Sequence, residues 1–265
     1  MLYGDGTGKL VNTFTHSAST NYVVVDDLKN FIEGQRIGVY NIEDEEYYSN
    51  AYSLVITKID RATKTIYFDK TFGSQIDPSR FVLCMQSSYG LEITGLGKIF
   101  DDSEMLYGLS RNQYDWLRPY KKGDVGTLTD TVIQTAIDNL EDYTGSTIDF
   151  ITCSSGVKRA YQEHLSTFKR NVDVMELNGG YKAISYNGIP LVSDRFVEND
   201  TMYLLNTKDF NLHQLCDWQW LENEDGRIIH QMSGKPTYSA TLVKYADLIC
   251  DHPGGQAKLS GITVA

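Results

Sequence analysis

The sequence predicts an α+β fold, and three observations predict it. Short apolar alternations crowd residues 12–111, two apolar stripes of helical period occupy residues 127–168, and Asn187-Gly188 separates two short apolar runs. Strands gathered in one stretch and helices in another describe segregated α+β packing. At 265 residues the chain is long enough to bury a sizeable core, as one large domain or two smaller ones.

Residues 3–10, YGDGTGKL, form a turn in which Gly4, Gly6 and Gly8 supply backbone freedom. Residues 22–25 read as a strand, and Phe31-Ile32-Glu33-Gly34 turns into another at 36–42. Residues 53–59 and 65–68 pair across Arg61-Ala62-Thr63-Lys64, with Val55, Thr57 and Ile59 alternating as on a half-buried antiparallel ladder. Residues 81–85 add one more strand. Short, closely spaced strands with polar turns predict a small closed or nearly closed antiparallel β-barrel, since closure removes exposed edges. Residues 90–117, irregular and followed by Pro119, are the path out of it.

In residues 127–145, Val132, Ile133, Ala136, Ile137 and Leu140 recur at helical spacing. Thr129 is placed to cap the start of that helix, and Gly145 to supply the left-handed residue that ends it. A short buried strand follows at 148–152. A second helix begins near Ser155, with Val157, Ala160, Tyr161, His164, Leu165 and Phe168 at steps of three and four. Residues 183–186 and 189–192 flank Asn187-Gly188, the strongest short-range hairpin signal a sequence carries. Further strands are expected at 202–206, 238–250 and 256–263, with a turn at Asn223-Glu224-Asp225-Gly226. The expected division is a core of 1–11 and 112–265 with an inserted β-rich domain at 12–111.

Composition narrows the function classes. The net charge is −11, from 35 acidic and 24 basic residues, and the densest basic clusters are the pairs Lys121-Lys122, Lys158-Arg159 and Lys169-Arg170. Tight nucleic-acid binding needs a basic stripe to neutralise phosphates, so specific DNA or RNA binding is not expected. No apolar run has the length of a membrane span, and no charged-then-apolar leader pattern opens the chain, so synthesis in the cytoplasm is the expectation. Cys84, Cys153, Cys216 and Cys250 form no CxxC pair, which predicts buried free thiols and no structural metal.

The motifs that invite chemistry fail on spacing. Gly4-Asp5-Gly6-Thr7-Gly8-Lys9 has Tyr3 where a phosphate loop needs its first glycine, and Leu10 where a magnesium-binding hydroxyl belongs. Counting back from Gly226 puts Leu221 at the first ligand position of a calcium loop. Cys250, Asp251 and His252 are adjacent, but nucleophile and base usually meet from different elements. His164 falls on the apolar stripe of its helix and reads as a packed imidazole. No catalytic, cofactor-binding or metal residue is assigned. Trp218 and Trp220, two apart, face one side if they lie on a strand, as anchors at a protein interface or as core.

The order of these signals resembles the major capsid (head) protein of tailed bacteriophages, the Hong Kong 97-like fold. The residues that carry the resemblance are GDGTG at 4–8, the helix at 129–142, IDFITCS, VKRAYQEHL, LNGGYKAISYNGIPLVSDRF with its Gly188-Ile189-Pro190-Leu191-Val192 return, and TMYLLNTKDF. It implies a structural subunit of a phage or prophage shell, found in the virion and made in the bacterial host. Copies of itself in capsomers would be its partners, with scaffolding or decoration proteins beside them and no enzyme activity. The β zone then resembles the insertion domains of other capsid proteins. In the family an N-terminal arm, an extended loop and a spine helix precede the glycine turn, so the resemblance implies an N-terminally truncated form. Candidate inter-subunit contacts are Lys169, Arg170, Trp218, Trp220 and Asp225. The alternative reading is a β-rich host- or glycan-binding module of a phage surface or tail, led by the tyrosines of the β zone.

Overall fold

The computed structural model describes residues 2–73, 76–168, 174–176, 182–222, 226–231, 234 and 236–264. Its first part is one antiparallel sheet of seven strands: β1 (Phe14–Thr15), β2 (Tyr22–Val25), β3 (Arg36–Asn41), β4 (Glu46–Tyr47), β5 (Leu54–Asp60), β6 (Thr65–Phe68) and β7 (Phe81–Met85). They run in the order β1-β2-β6-β5-β3-β4, with β7 on the free side of β3. Alternation sets the inner face: Val23 and Val25 are buried while Val24 is exposed. Ile37, Leu54, Ile56, Ile66, Phe68, Phe72 and Leu83 close around them as one apolar cluster. A register shift between Ile56 and Lys58 bends β5, as a bulge does, and curls the sheet over that cluster.

The expected barrel is seen as a half-barrel. Among the described residues no ladder joins β1 to β4 or β7. β1 and β4 are two residues each, and short terminal strands are a way of blunting an edge. His16 sits inside the curl, its ring centroid 4.0 Å from that of Phe72. Its Nδ1 accepts from the Ile76 amide at 3.3 Å, which requires the neutral ring, and burial lowers its pKa.

The path out of the sheet holds α1 (Leu96–Ile99) and a small hairpin of β8 (Met105–Leu106) and β9 (Leu109–Ser110). Arg111 orders it. Its buried guanidinium donates to the carbonyls of Lys98, Ile99, Asp101 and Ser103 and to the Asp101 carboxylate at 2.8 Å. Burial alone would raise the Asp101 carboxyl. Hydrogen bonds from Lys98 and Ser103, with the charges of Lys98 and Arg111, outweigh it and hold the group below its ordinary value.

The second part comprises β10 (Tyr120–Lys122), α2 (Asp130–Thr144), β11 (Phe150–Cys153), α3 (Ser155–Phe168), β12 (Val174–Glu176), β13 (Lys182–Tyr186), β14 (Ile189–Ser193) and β15 (Met202–Leu205). The chain then runs through β16 (Phe210–Trp220), β17 (His230–Gln231), β18 (Tyr238–Ser239) and β19 (Leu242–Cys250), and returns as β20 (Ala257–Leu259). A mixed sheet of order β10-β20-β15-β11-β14-β13-β12 results, with β11 parallel to β14 and antiparallel to β15.

Both helices form for local reasons. Thr129 Oγ1 accepts from the Val132 amide, and Gly145 ends α2 at φ +67°. Ser154 Oγ accepts from the Val157 amide at the start of α3. Ile133, Ala136, Ile137 and Leu140 of α2 and Val157, Tyr161 and Leu165 of α3 bury against Ile151, Leu191, Met202, Leu204 and Leu259 of the sheet. Tyr161 crosses between the helices to donate to Asp130 Oδ1 at 2.8 Å. The strand expected at 148–152 runs from Phe150, although Ile148 is buried all the same. The β13–β14 turn places Asn187 at φ +48° and Gly188 at φ +83°, and pairs Tyr186 with Ile189.

Two expectations follow. Gly188→Val should lower stability by about 1–2 kcal/mol, the cost of a left-handed residue with a Cβ, seen as a lower urea midpoint at unchanged slope. His16 has its pKa depressed in the folded state, so its contribution is present above its unfolded value near 6.5 and is lost as pH falls below it. Thermal midpoints taken from pH 8 to pH 5 should therefore fall less for His16→Gln than for the parent chain.

Candidate assembly surface

β16 and β19 pair with each other and with no other described strand, so they leave the body as a two-stranded ribbon. Its base is fixed where Phe210 and Cys250 pack beside Tyr3, Leu96, Ile99, Phe100, Val197, Tyr203 and Leu205. Tyr107 at the β8–β9 turn pins it further. Its hydroxyl donates to the Leu248 carbonyl at 3.3 Å and accepts from the Cys250 amide at 3.0 Å, as a neighbouring strand would. Burial pushes the Tyr107 hydroxyl up to about 12, so it stays protonated and able to do both. The Asp247 carboxylate accepts from the Thr94 amide at 2.6 Å and from its hydroxyl at 3.1 Å.

Beyond the base the ribbon is bare. Leu212, Leu215, Trp218, Trp220, Leu242 and Tyr245 are exposed, Leu215 at 88% and Trp218 at 65%. The register pairs Leu212 with Leu248 and Trp220 with Leu242, and cross-strand partners share a face. Lys244 closes a 2.9 Å ion pair with Asp217 and lies 5.9 Å from the Trp218 ring centre. The hydrogen bond from Lys244 is the first cause that holds the Asp217 carboxyl below its ordinary value. The far end continues the pattern with Ile229 and Tyr238, both exposed. An isolated two-stranded ribbon is marginal in water, and apolar surface of this extent left in water marks a contact surface.

Of the contact residues expected from sequence, Trp218 and Trp220 lie on β16, both more than half exposed. Lys169, Arg170 and Asp225 lie outside the described residues. Gly6 and Gly8 have φ of +83° and +80°, and the glycine turn docks on α1, where the Leu2 carbonyl accepts from Leu96 at 2.7 Å and that of Gly4 from Lys98 at 3.3 Å. A Cβ at Gly97 would stand 2.8 Å from the carbonyls of Tyr3 and Gly4, which is why the helix can approach so closely. Cys250 is buried with its thiol pushed up to about 12 by desolvation, Asp251 receives Asn211, and the three adjacent residues form no nucleophile–base pair. Among the described residues no three His, Cys, Asp or Glu side chains gather as a metal site, and no helix is long and apolar enough to cross a membrane.

Sequence reasoning missed β16. Its apolar alternation at Phe210 and Leu212 resumes out of step at Leu215, because register shifts fall between Gln214 and Cys216 and again before Gln219. The spacing of Trp218 and Trp220 was the surviving signal.

No family model matches the sequence, and no curated protein matches it. Solved structures similar to it include the SrpI encapsulin of Synechococcus elongatus PCC 7942, in its holo complex, at 12% identity and a TM-score of 0.39, covering 64% of this chain and 57% of that one. The capsid asymmetric unit of cyanophage A-1(L) is similar at 16% identity and a TM-score of 0.48, covering 67% of this chain and 62% of that one. This chain thus spans about three fifths of each. Both likenesses are distant, and neither decides what this chain does.

Tyr107→Phe should leave the Cys250 amide without its partner and cost about 1–3 kcal/mol. The loss should appear first as faster amide exchange at Cys250, ahead of global unfolding.

Proposed function

We propose that this chain is a structural subunit of a capsid-type shell, assembled from copies of itself, and not an enzyme. One observation carries the reading: the ribbon of β16 and β19 gathers Leu212, Leu215, Trp218, Trp220, Leu242 and Tyr245 on one pair of strands and holds them all in water. Such a surface is completed by a partner, and a shell supplies that partner through repeated contacts between identical chains. The finer reading is a tailed-phage or prophage head protein of the Hong Kong 97-like type, located in the virion. Its core would be 1–11 and 112–265, and its inserted domain 12–111. Separate apolar clusters for the two parts support an insertion, although the chain already rejoins the core at Leu96.

A glycan-binding module finds less support. Tyr40 stacks on Tyr89 at 3.8 Å and meets Tyr47 edge-on at 5.1 Å, and Tyr47 in turn meets Tyr52 at 5.4 Å. These rings cover one another, which leaves less face for a sugar.

Electron microscopy and light scattering of the purified chain test the proposal. Rings, shells or concentration-dependent multimers are expected, and Trp218→Ser/Trp220→Ser should abolish them while shifting monomer stability little, as exposed substitutions do. A chain that stays monomeric at every concentration, and gains thermal stability from a sugar or nucleotide, would overturn it.

A further inference from the structure

We propose that the outer edge of β19 is a strand-addition site for the same edge of a second copy of this chain. Two ribbons would join there as a four-stranded antiparallel sheet with Tyr245 on the twofold axis. The inference deepens the shell-subunit reading and rests on it only in requiring that copies of this chain meet.

The backbone fixes which groups are available. Asp251 donates to the Asp209 carbonyl at the base and Leu221 to the Thr241 carbonyl at the far end, both at 2.8 Å. Odd-numbered residues of β19 therefore turn their amides and carbonyls toward β16, and even-numbered residues turn theirs away. The register shifts both fall within β16, and β19 runs through unbroken. Bulges are a recognised means of spoiling an edge for pairing, so the β16 side is blunted and the β19 side is straight.

Tyr107 then delimits the open part. Its hydroxyl already takes the outward carbonyl of Leu248 and the outward amide of Cys250, and the Leu248 amide donates to the Asp247 carboxylate at 2.9 Å. No described strand pairs with the outward groups of Leu242, Lys244 and Ala246. That leaves an open edge from Leu242 to Ala246, with Tyr245 near its inner end. Centring the twofold on Tyr245 sets Lys244 opposite Ala246 of the second copy, and both residues exchange their outward hydrogen bonds. Centring it on Lys244 would set two ammonium groups face to face, which destabilises a cross-strand pair. Tyr245 would meet its own copy as a non-hydrogen-bonded aromatic pair, the closer of the two antiparallel geometries.

Charge points the same way. The whole chain carries −11, but the two ribbon strands carry only Asp217, Lys244 and Asp247, two acids against one base. Asp217 is paired with Lys244, and Asp247 is taken by Thr94. Two copies of an acidic protein meet at least electrostatic cost where each is nearly neutral. Joining the edges also continues the exposed faces of Leu212, Trp218, Trp220 and Leu242 across the pair and lifts the ribbon out of the marginal two-stranded state.

Cys216 lies opposite Tyr245 in the register, so the test starts from a Cys216→Ala background. Tyr245→Cys in that background, mildly oxidised, should give a covalent dimer on a non-reducing gel that reductant dissolves. Gln214→Cys, on the bulged strand, should not. Adding Ala246→Pro removes an outward amide, leaves the pairing to β16 intact, and should cut dimer yield by about tenfold or more, the effect of roughly 1.4 kcal/mol. In the unaltered chain, amide exchange at Lys244 and Ala246 should slow with rising concentration while that of Val243 and Tyr245 does not. Equal crosslinking at both positions, or exchange at Lys244 and Ala246 that ignores concentration, would overturn the proposal. Particles by microscopy without the Tyr245→Cys dimer would refute this edge and leave the shell reading standing; the dimer without particles would do the reverse.

Discussion

A four-residue strand, β15, ties the molecule together because it is buried on both faces. Met202 and Leu204 point into the layer of α2 and α3, while Tyr203 and Leu205 point into the cluster that holds Tyr3, Leu96, Phe100 and Phe210. Alternation on a strand sends successive side chains to opposite faces, so four consecutive apolar residues can serve two cores at once. Through β15 the helices, the glycine turn and the ribbon base share one support. The same strand hydrogen-bonds to β11 on one side and β20 on the other, so the C-terminal return is built into the sheet.

That arrangement explains how a ribbon can stand free without melting. Its stability is imported at the base, where Phe210, Cys250, Tyr107 and Asp247 bind it to buried structure. Beyond Asp247 it is held by its own ladder and by the Asp217–Lys244 pair, which is exposed and worth little. Stability therefore declines along the ribbon from base to tip, and its far end is the first part of it to open.

Much of the fold was legible in the sequence wherever the deciding forces are local. Thr129 and Gly145 bracket α2 because a cap and a left-handed terminator act within one turn. Asn187-Gly188 placed the β13–β14 hairpin because both residues adopt positive φ. Closure of the β zone was not legible, since it depends on how far β1 and β4 extend and on a bend at Ile56, both set by packing across the sheet. β16 was hidden for another reason. It buries almost nothing, so its sequence carries no period to read, and its bulges break what alternation remains. The spacing of the tryptophans was visible, but the edge of β19 is a property of backbone direction and of a tyrosine far away in sequence.

Burial also sets the protonation state of several hydroxyls and thiols. Burial is the largest cause raising Tyr3, Tyr47, Tyr107, Cys153 and Cys250, each to about 12. Catalytic sites shift pKa values toward the working pH so that a group can change its protonation state in the reaction. These groups are shifted away from it, which locks them neutral. A neutral tyrosine both donates and accepts, and Tyr107 uses that pair of capacities to imitate a strand, as Tyr3 uses its hydroxyl to join Thr152 and Asp194 across the core. These groups thus position backbone and side chains against one another.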